Sequence, residues 1–87
     1  MYIVMAYDVN VDRVVKVLKI GRRYLTWVQN SVLEGELTSA QFEHLKADLS
    51  DVIEPDIDAV RFYIIRRDAC LVKEFLGTSK NEPNQML

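Results

Sequence analysis

The first ten residues decide the fold, and they read Met1-Tyr2-Ile3-Val4-Met5-Ala6-Tyr7-Asp8-Val9-Asn10. This run is apolar or aromatic without interruption until the carboxylate of Asp8. Side chains of a β-strand alternate between two faces, which here carry Tyr2, Val4, Ala6 and Asp8 on one side and Ile3, Met5 and Tyr7 on the other. Both faces are too apolar for water, so the run predicts a central strand with a layer on each side. Ionised Asp8 must then lie at the solvent-exposed end of the strand or beside a cation.

The composition predicts one globular domain. The chain has 87 residues, of which 49% are hydrophobic and 28% charged, values that exclude disordered and collagen-like classes. No stretch approaches the roughly 18 apolar residues that cross a bilayer, and the N-terminus lacks the features of a signal peptide. We therefore expect a cytoplasmic protein without membrane contact. The single cysteine, Cys70, excludes an internal disulfide, and we expect it to be a buried or half-buried hydrophobe.

Charge is distributed unevenly along the chain. Residues 12–25 contain five basic side chains and one acidic, whereas residues 41–58 contain six acidic and one basic. Two interpretations are open: both segments are simply solvated helix faces, or the surface is polarised and its basic side binds phosphates.

The basic residues lie on a predicted first helix, which runs to about Leu25 and is capped by Asn10 or Asp12. Four of them fall within about a third of a turn on a helical wheel, with Arg22 flanking. These four are Arg13, Lys16, Lys19 and Arg23. These side chains either solubilise the helix, while their aliphatic parts cover apolar surface, or bind the phosphates of a nucleic acid.

The remaining elements follow from turn and capping signals. Residues 26–37 form one long strand or a hairpin folded at Gln29-Asn30-Ser31, and the polar centre favours the hairpin. Thr38 and Gln41 form a capping-box signature for a second helix, which must end before Pro55. Residues 59–65 are predicted to form a strand, which the basic corner Arg66-Arg67 follows. Residues 69–76 are predicted to form a last strand, which is broken by Gly77.

This order predicts an α+β sandwich in residues 1–77, with both helices on one face of the sheet and an extended tail in residues 78–87. Two helices cover only one side of such a sheet. We therefore expect the second face to be buried against a copy of the same chain, as a two-fold homodimer.

Three sequence blocks, with the basic helix between the first two, resemble the second family of CRISPR-associated adaptation proteins. The blocks are Tyr7-Asp8-Val9, Val28-Gln29-Asn30-Ser31-Val32-Leu33-Glu34-Gly35-Glu36, and Val60-Arg61-Phe62-Tyr63-Ile64-Ile65 followed later by Leu76-Gly77. The resemblance implies a homodimeric, ferredoxin-like βαββαβ sandwich with an additional C-terminal strand, whose C-terminal segment often adds a strand to the partner.

The family resemblance also implies two different functions. Some members are metal-dependent endonucleases acting on RNA or DNA, which here implies Mg²⁺, or Mn²⁺, as the cofactor. In spacer acquisition, the family's dimer bridges two dimers of the CRISPR integrase subunit and holds the new DNA. The alternative to an endonuclease is therefore a non-catalytic scaffold that binds double-stranded DNA.

The resemblance assigns roles to particular residues of this chain. Asp8 matches the family's metal-binding acid, and Tyr7 matches the aromatic residue before it; the resemblance implies that Asp8 and Tyr7 together are the catalytic residues. Arg13 and Lys16 match basic residues early in the first helix; the predicted nucleic-acid-binding set is Arg13, Lys16, Lys19, Arg23, Arg66 and Arg67.

Two considerations qualify these assignments. One carboxylate per chain is too few for a metal site, so Asp8 from both subunits must meet near a two-fold axis. Alternatively, Asp8 caps the following helix or pairs with Arg13. The chain also departs from the family pattern: Trp27 replaces a basic residue and Leu33 an aromatic one, which removes a phosphate contact and a stacking group.

Overall fold

The computed structural model describes residues 1–68 and 70–78. Its elements in chain order are β1 (Tyr2–Asp8), α1 (Val11–Arg22), β2 (Thr26–Gln29), β3 (Val32–Glu36), α2 (Ser39–Ser50), β4 (Ala59–Ile65) and β5 (Leu71–Gly77). The five strands form one sheet in the order β2-β3-β1-β4-β5, and every neighbouring pair is antiparallel. This is the predicted α+β, ferredoxin-like βαββαβ order, with β5 added at one edge. The predicted tail lies outside the described residues except for Thr78.

Strand β1 lies at the centre of the sheet, between β3 and β4. Its Ile3 and Met5 side chains are 0% exposed and Tyr7 is 7% exposed, because the two helices cover this face. The opposite face of β1 carries half-buried side chains over which the described chain places no layer. These are Tyr2, Val4 and Ala6. The strand is therefore apolar on both faces, as predicted, but one chain covers only one of them.

The hairpin prediction is confirmed. Strands β2 and β3 pair as Thr26 with Glu34 and Trp27 with Leu33, and a register irregularity follows Trp27. Asn30 in the connecting turn has φ 43°, a left-handed conformation that asparagine tolerates better than most residues. The hairpin places the outer edge of β2 at one side of the sheet, opposite β5.

Both helix starts follow the predicted caps. The Asn10 side chain accepts a hydrogen bond from the backbone N–H of Asp12, and Thr38 and Gln41 form a complete capping box. Each helix has 12 residues, and α1 ends at Arg22, three residues before the predicted end. None of the described helices is long and apolar enough to cross a membrane.

Strand β5 is fixed to the helical layer by Lys46. The Lys46 ammonium lies 2.8 Å from the Glu74 carboxylate on β5 and 3.0 Å from that of Glu43. It also lies 4.4 Å from the centre of the Phe42 ring. Cys70 precedes β5 in the turn and is exposed, so the prediction of a buried or half-buried cysteine was wrong.

A buried ion pair closes the end of the domain where β1 passes into α1. The Asp58 side chain is 0% exposed, and its carboxylate accepts hydrogen bonds from both Nε and Nη2 of Arg13, at 2.5 and 3.0 Å. It also accepts backbone N–H bonds from Asn10 and Glu54, at 2.9 and 2.8 Å. One carboxylate therefore connects the start of α1, the turn after α2 and the start of β4.

We expect Asp58→Ala to lower the free energy of unfolding by about 3–5 kcal/mol, the usual cost of leaving one partner of a buried ion pair unpaired. Exposed Asp56, two residues away, is the matched control, and Asp56→Ala should change stability by no more than about 0.5 kcal/mol. Urea unfolding at pH 7 measures both. Equal effects of the two substitutions would contradict the assigned role of Asp58.

The same ion pair predicts a pH dependence. The Arg13 guanidinium holds the pKa of Asp58 at about 2, below its ordinary 3.8, and the two backbone N–H groups act in the same direction, while burial opposes them. Because the unfolded chain lacks these partners, ionised Asp58 stabilises the fold above its ordinary pKa, and this contribution disappears as the pH falls towards 2. Urea unfolding between pH 5 and pH 2 should show a smaller loss of stability in Asp58→Ala than in the wild type.

Candidate metal and nucleic-acid site

Asp8 is the last residue of β1, and its side chain is exposed on the sheet face that the helices leave open. In the register of the sheet its neighbours are Ala59 on β4 and, beyond that, Gly77 on β5. The Asp8 side chain makes no hydrogen bond or ion pair within residues 1–68 and 70–78; Asn10 caps α1, and Arg13 pairs with Asp58. The alternative roles of Asp8 as a helix cap or as the partner of Arg13 are therefore wrong.

The ligand chemistry at Asp8 fits a hard divalent cation only in part. A carboxylate oxygen suits Mg²⁺ or Mn²⁺, and Mg²⁺ in proteins commonly binds one or two carboxylates and keeps several waters. Within the described part of the chain, no group of three or more His, Cys, Asp or Glu side chains is arranged to hold a metal ion. Asp8 by itself supplies one carboxylate of the one or two that Mg²⁺ commonly takes from a protein.

Tyr7 occupies the opposite face of β1 from Asp8. Its side chain lies under the helical layer with the buried core, and its backbone N–H donates to the carbonyl of Ser31 at 3.1 Å. Burial raises the pKa of the Tyr7 phenol above 10.0, and a hydrogen bond with the Ser31 side chain offsets part of this. The structure does not bring Tyr7 and Asp8 together, so we leave Tyr7 out of the proposed catalytic group.

Three of the predicted phosphate-binding residues share an exposed surface on the helical layer. Lys16, Lys19 and Arg23 line an open depression of about 200 Å³, together with Ile20 and Val52. We call these three residues the α1 cation cluster.

The helical wheel predicted that Arg13 belongs with these cations, but the structure places its side chain elsewhere. Its side chain is only 18% exposed, and its guanidinium is occupied by Asp58. The hydrogen bond with Asp58 is the main cause of a raised Arg13 pKa. We therefore interpret Arg13 as a structural residue rather than a phosphate ligand.

Arg66 and Arg67 are exposed in the turn between β4 and β5. Ile65, immediately before them, pairs with Tyr2 at the start of β1, whereas Asp8 is at its end. Apart from buried Tyr7 and ion-paired Arg13, the predicted site residues therefore fall into three separate places within one chain: Asp8 on the open face, the α1 cation cluster on the helical layer, and the two arginines at the far end of the sheet.

The residues that depart from the family pattern fill other roles. Leu33 is 0% exposed in the core and is unavailable for stacking. Trp27 is 46% exposed at the edge strand and donates from Nε1 to the carbonyl of Asn30 at 2.9 Å. Asp58 was counted among the surface acids of residues 41–58, since no local signal distinguishes a buried aspartate from the exposed ones beside it.

The sheet and helices define a ferredoxin-like α+β domain, and the acid at the end of its central strand has no side-chain partner in residues 1–68 and 70–78. The family model described as "CRISPR associated protein Cas2" matches residues 1–71. The chain therefore belongs to the CRISPR-associated Cas2 family, as the sequence blocks predicted.

Relatives and solved structures agree with this assignment. The chain is 48% identical over 87 residues to the "CRISPR-associated endoribonuclease Cas2" of Dictyoglomus turgidum, covering 100% of both chains. It is 51% identical over 82 residues to the protein of the same name from Thermotoga maritima, covering 94% of each. The crystal structure of Streptococcus pyogenes Cas2 is similar at a TM-score of 0.70 and 34% identity, over 78% of this chain and 89% of that one. A further Cas2 crystal structure has a TM-score of 0.70 and 46% identity, over 72% and 71% of the two chains.

Proposed function

We propose that this protein is a CRISPR-associated, metal-dependent endonuclease that hydrolyses phosphodiester bonds at a site formed by Asp8 of two subunits. The observation that carries the proposal is the Asp8 carboxylate, which is exposed on the open sheet face without a partner among the described residues. The names of the relatives, endoribonucleases, favour RNA as the substrate, with DNA as the second candidate.

The dimer in this proposal follows from the open face of the sheet. Half-buried Val4 and Tyr63 pair at its centre, and no element of the described chain covers them. The face also carries Glu34 on one side of β1 and Arg61 and Lys73 on the other. A two-fold interface must be self-complementary, and a face with opposite charges on its two halves meets that requirement.

A divalent ion held by the two Asp8 carboxylates would supply Lewis-acid stabilisation of the charge that develops on a phosphodiester. The chain's own contribution is to present the carboxylate at the end of the central strand, next to the small residue Ala59. Basic side chains elsewhere on the surface would hold the phosphates of the substrate.

We expect Asp8→Asn to reduce Mg²⁺-dependent cleavage to the rate measured with chelator, because the amide loses the charge that binds the cation. Nucleic-acid binding should remain nearly unchanged. Cleavage of single- and double-stranded RNA and DNA with Mg²⁺, Mn²⁺ or chelator measures the first effect, and fluorescence anisotropy measures the second.

Asp12→Asn is the matched control for this experiment. Asp12 is also exposed and lies close by in sequence, but it belongs to the first turn of α1. Its substitution should leave cleavage intact. An Asp8→Asn protein that cuts as fast as the wild type would contradict the proposed site.

We expect Val4→Lys to shift the protein from dimer to monomer, because a cation without a partner at the centre of the interface costs free energy. Sedimentation velocity at micromolar concentration gives the oligomeric state. Ala47→Lys, on the exposed surface of α2, should remain dimeric. A wild-type protein that sediments as a monomer would contradict the two-subunit site.

The second candidate is a scaffold that binds double-stranded DNA without cutting it and bridges integrase dimers. The α1 cation cluster favours it, since these charges lie on the helical layer rather than on the face that carries Asp8. In this function the cluster and the pair Arg66 and Arg67 would contact phosphates without reading bases.

For duplex binding we expect the double substitution of Lys16→Gln with Arg23→Gln to reduce the slope of log K against log salt by roughly 1.8, that is about 0.9 for each lost phosphate contact. Salt titrations of a DNA duplex without divalent ions measure this slope. Arg22→Gln removes a neighbouring charge that lies outside the depression and is the matched control. An unchanged slope in the double variant would show that α1 does not contact the duplex.

A further inference from the structure

The depression between α1 and the turn after α2 differs from an ordinary solvated helix face. Its cations, the α1 cation cluster, converge on one concavity, and its other walls are Ile20, which is 6% exposed, and half-buried Val52. Three positive charges therefore surround an apolar floor. Its volume of about 200 Å³ is below the roughly 300–1,000 Å³ of pockets that enclose a drug-sized ligand, so it suits one compact group.

The charges of the cluster are poorly compensated within the described chain. Lys16 and Lys19 are three residues apart on the helix, and Lys19 and Arg23 are four apart, spacings at which like charges repel. Arg23 has one acidic neighbour, Asp48, at 3.7 Å. Neither lysine has an ion-pair partner in residues 1–68 or 70–78. A multiply charged anion in the depression would relieve this repulsion.

The helix dipole explains only part of the arrangement. Lys19 and Arg22 lie in the last turn of α1, where cations interact favourably with the C-terminal end of the helix. Lys16 lies a turn earlier, beyond the range of that effect. Moreover, Arg22 shares the dipole but does not line the depression. The convergence of the three cations on one concavity therefore needs a separate explanation.

We infer that the depression binds a terminal phosphate, that is a phosphomonoester, of a nucleic-acid strand or a free nucleotide. This inference rests on the proposed function, because it names the part of a nucleic acid that the α1 cation cluster recognises. A phosphomonoester carries about −1.5 to −2 charges at pH 7, whereas each internal phosphodiester carries one. The larger charge and the small size of a terminal phosphate match three converging cations better than one phosphate of a continuous backbone does.

The apolar floor supports the same ligand. A terminal phosphate is attached to one sugar, whose carbon atoms can lie against Ile20 and Val52 while the charged oxygens face the cations. A phosphate within a duplex extends into backbone on both sides, so the same cations can contact its charged oxygens, but its sugars are less free to lie against the apolar floor.

The experiment compares two oligonucleotides of one sequence, one with a 5′-phosphate and one with a 5′-hydroxyl. Fluorescence anisotropy is measured with chelator, so that neither strand is cut. We expect the wild type to bind the phosphorylated strand about fivefold more tightly, the gain typical of one partly exposed ionic contact of about 1 kcal/mol. Inorganic phosphate should compete for this preference, and its titration should shift the backbone amide resonances of α1 in NMR spectra.

Lys16→Gln combined with Lys19→Gln is the test variant, and Arg22→Gln on the same helix is the control. All three side chains are exposed, so the substitutions should leave the fold intact, which thermal unfolding verifies. The double variant should bind both strands equally, while Arg22→Gln should retain the preference. If the natural ligand is a free nucleotide, AMP should displace the phosphorylated strand with an inhibition constant well below the dissociation constant of that strand.

Two outcomes would overturn the inference: equal binding of both strands by the wild type, or a preference that survives in the double variant. If both strands bind equally well and the protein still cleaves with Mg²⁺, only this inference fails. If neither strand binds and no cleavage is seen, the proposed function fails with it.

Discussion

Strand β1 carries apolar side chains on both faces, and burying both is the constraint on which the rest of the structure depends. The helices cover Ile3, Met5 and Tyr7 on one side of the sheet. Both helices, of 12 residues each, pack on that side, so neither covers the other side. Val4 and its neighbours are therefore left for a second layer, and a copy of the same chain is the simplest source. Asp8 ends the same strand on the same face, so the need to bury β1 also determines where the acid is presented.

The arrangement separates the proposed metal site from the proposed phosphate-binding surface. Asp8 lies on the open face of the sheet, whereas Lys16, Lys19 and Arg23 lie on the helical layer. A nucleic acid held by the helices must pass around the end of the sheet to reach the acid. Because the two surfaces are separate, substitutions on one surface can test the nuclease proposal without disturbing the surface on which the scaffold proposal depends.

Much of the fold was predictable because its signals are local. The capping box of Thr38 and Gln41, the Asn10 cap and the exact span of β4 each depend on residues within one segment, where hydrogen bonding and alternation act directly. The open face was predictable for a similar reason, since the number of helices limits the area that they can cover.

Contacts between distant segments were not predictable in the same way. Arg13 and Asp58 are 45 residues apart, so the helical wheel assigned Arg13 to an exposed stripe, and charge counting assigned Asp58 to an acidic surface. Strand alternation places Tyr7 and Asp8 on opposite faces of β1, whereas the family resemblance implied that both belong to one catalytic group. Cys70 was misjudged because the last strand begins after it, at Leu71.

The pairing of the two Asp8 side chains can be tested by chemical crosslinking. A protein with Asp8→Cys and Cys70→Ser carries one thiol per chain, and a short bismaleimide reagent joins thiols only when they lie close together. Rapid formation of a covalent dimer at micromolar protein concentration is the predicted result, with the Cys70→Ser protein alone as the negative control. If the thiols react singly and no covalent dimer forms, the two Asp8 side chains do not face one another, and the metal site shared by two subunits does not exist.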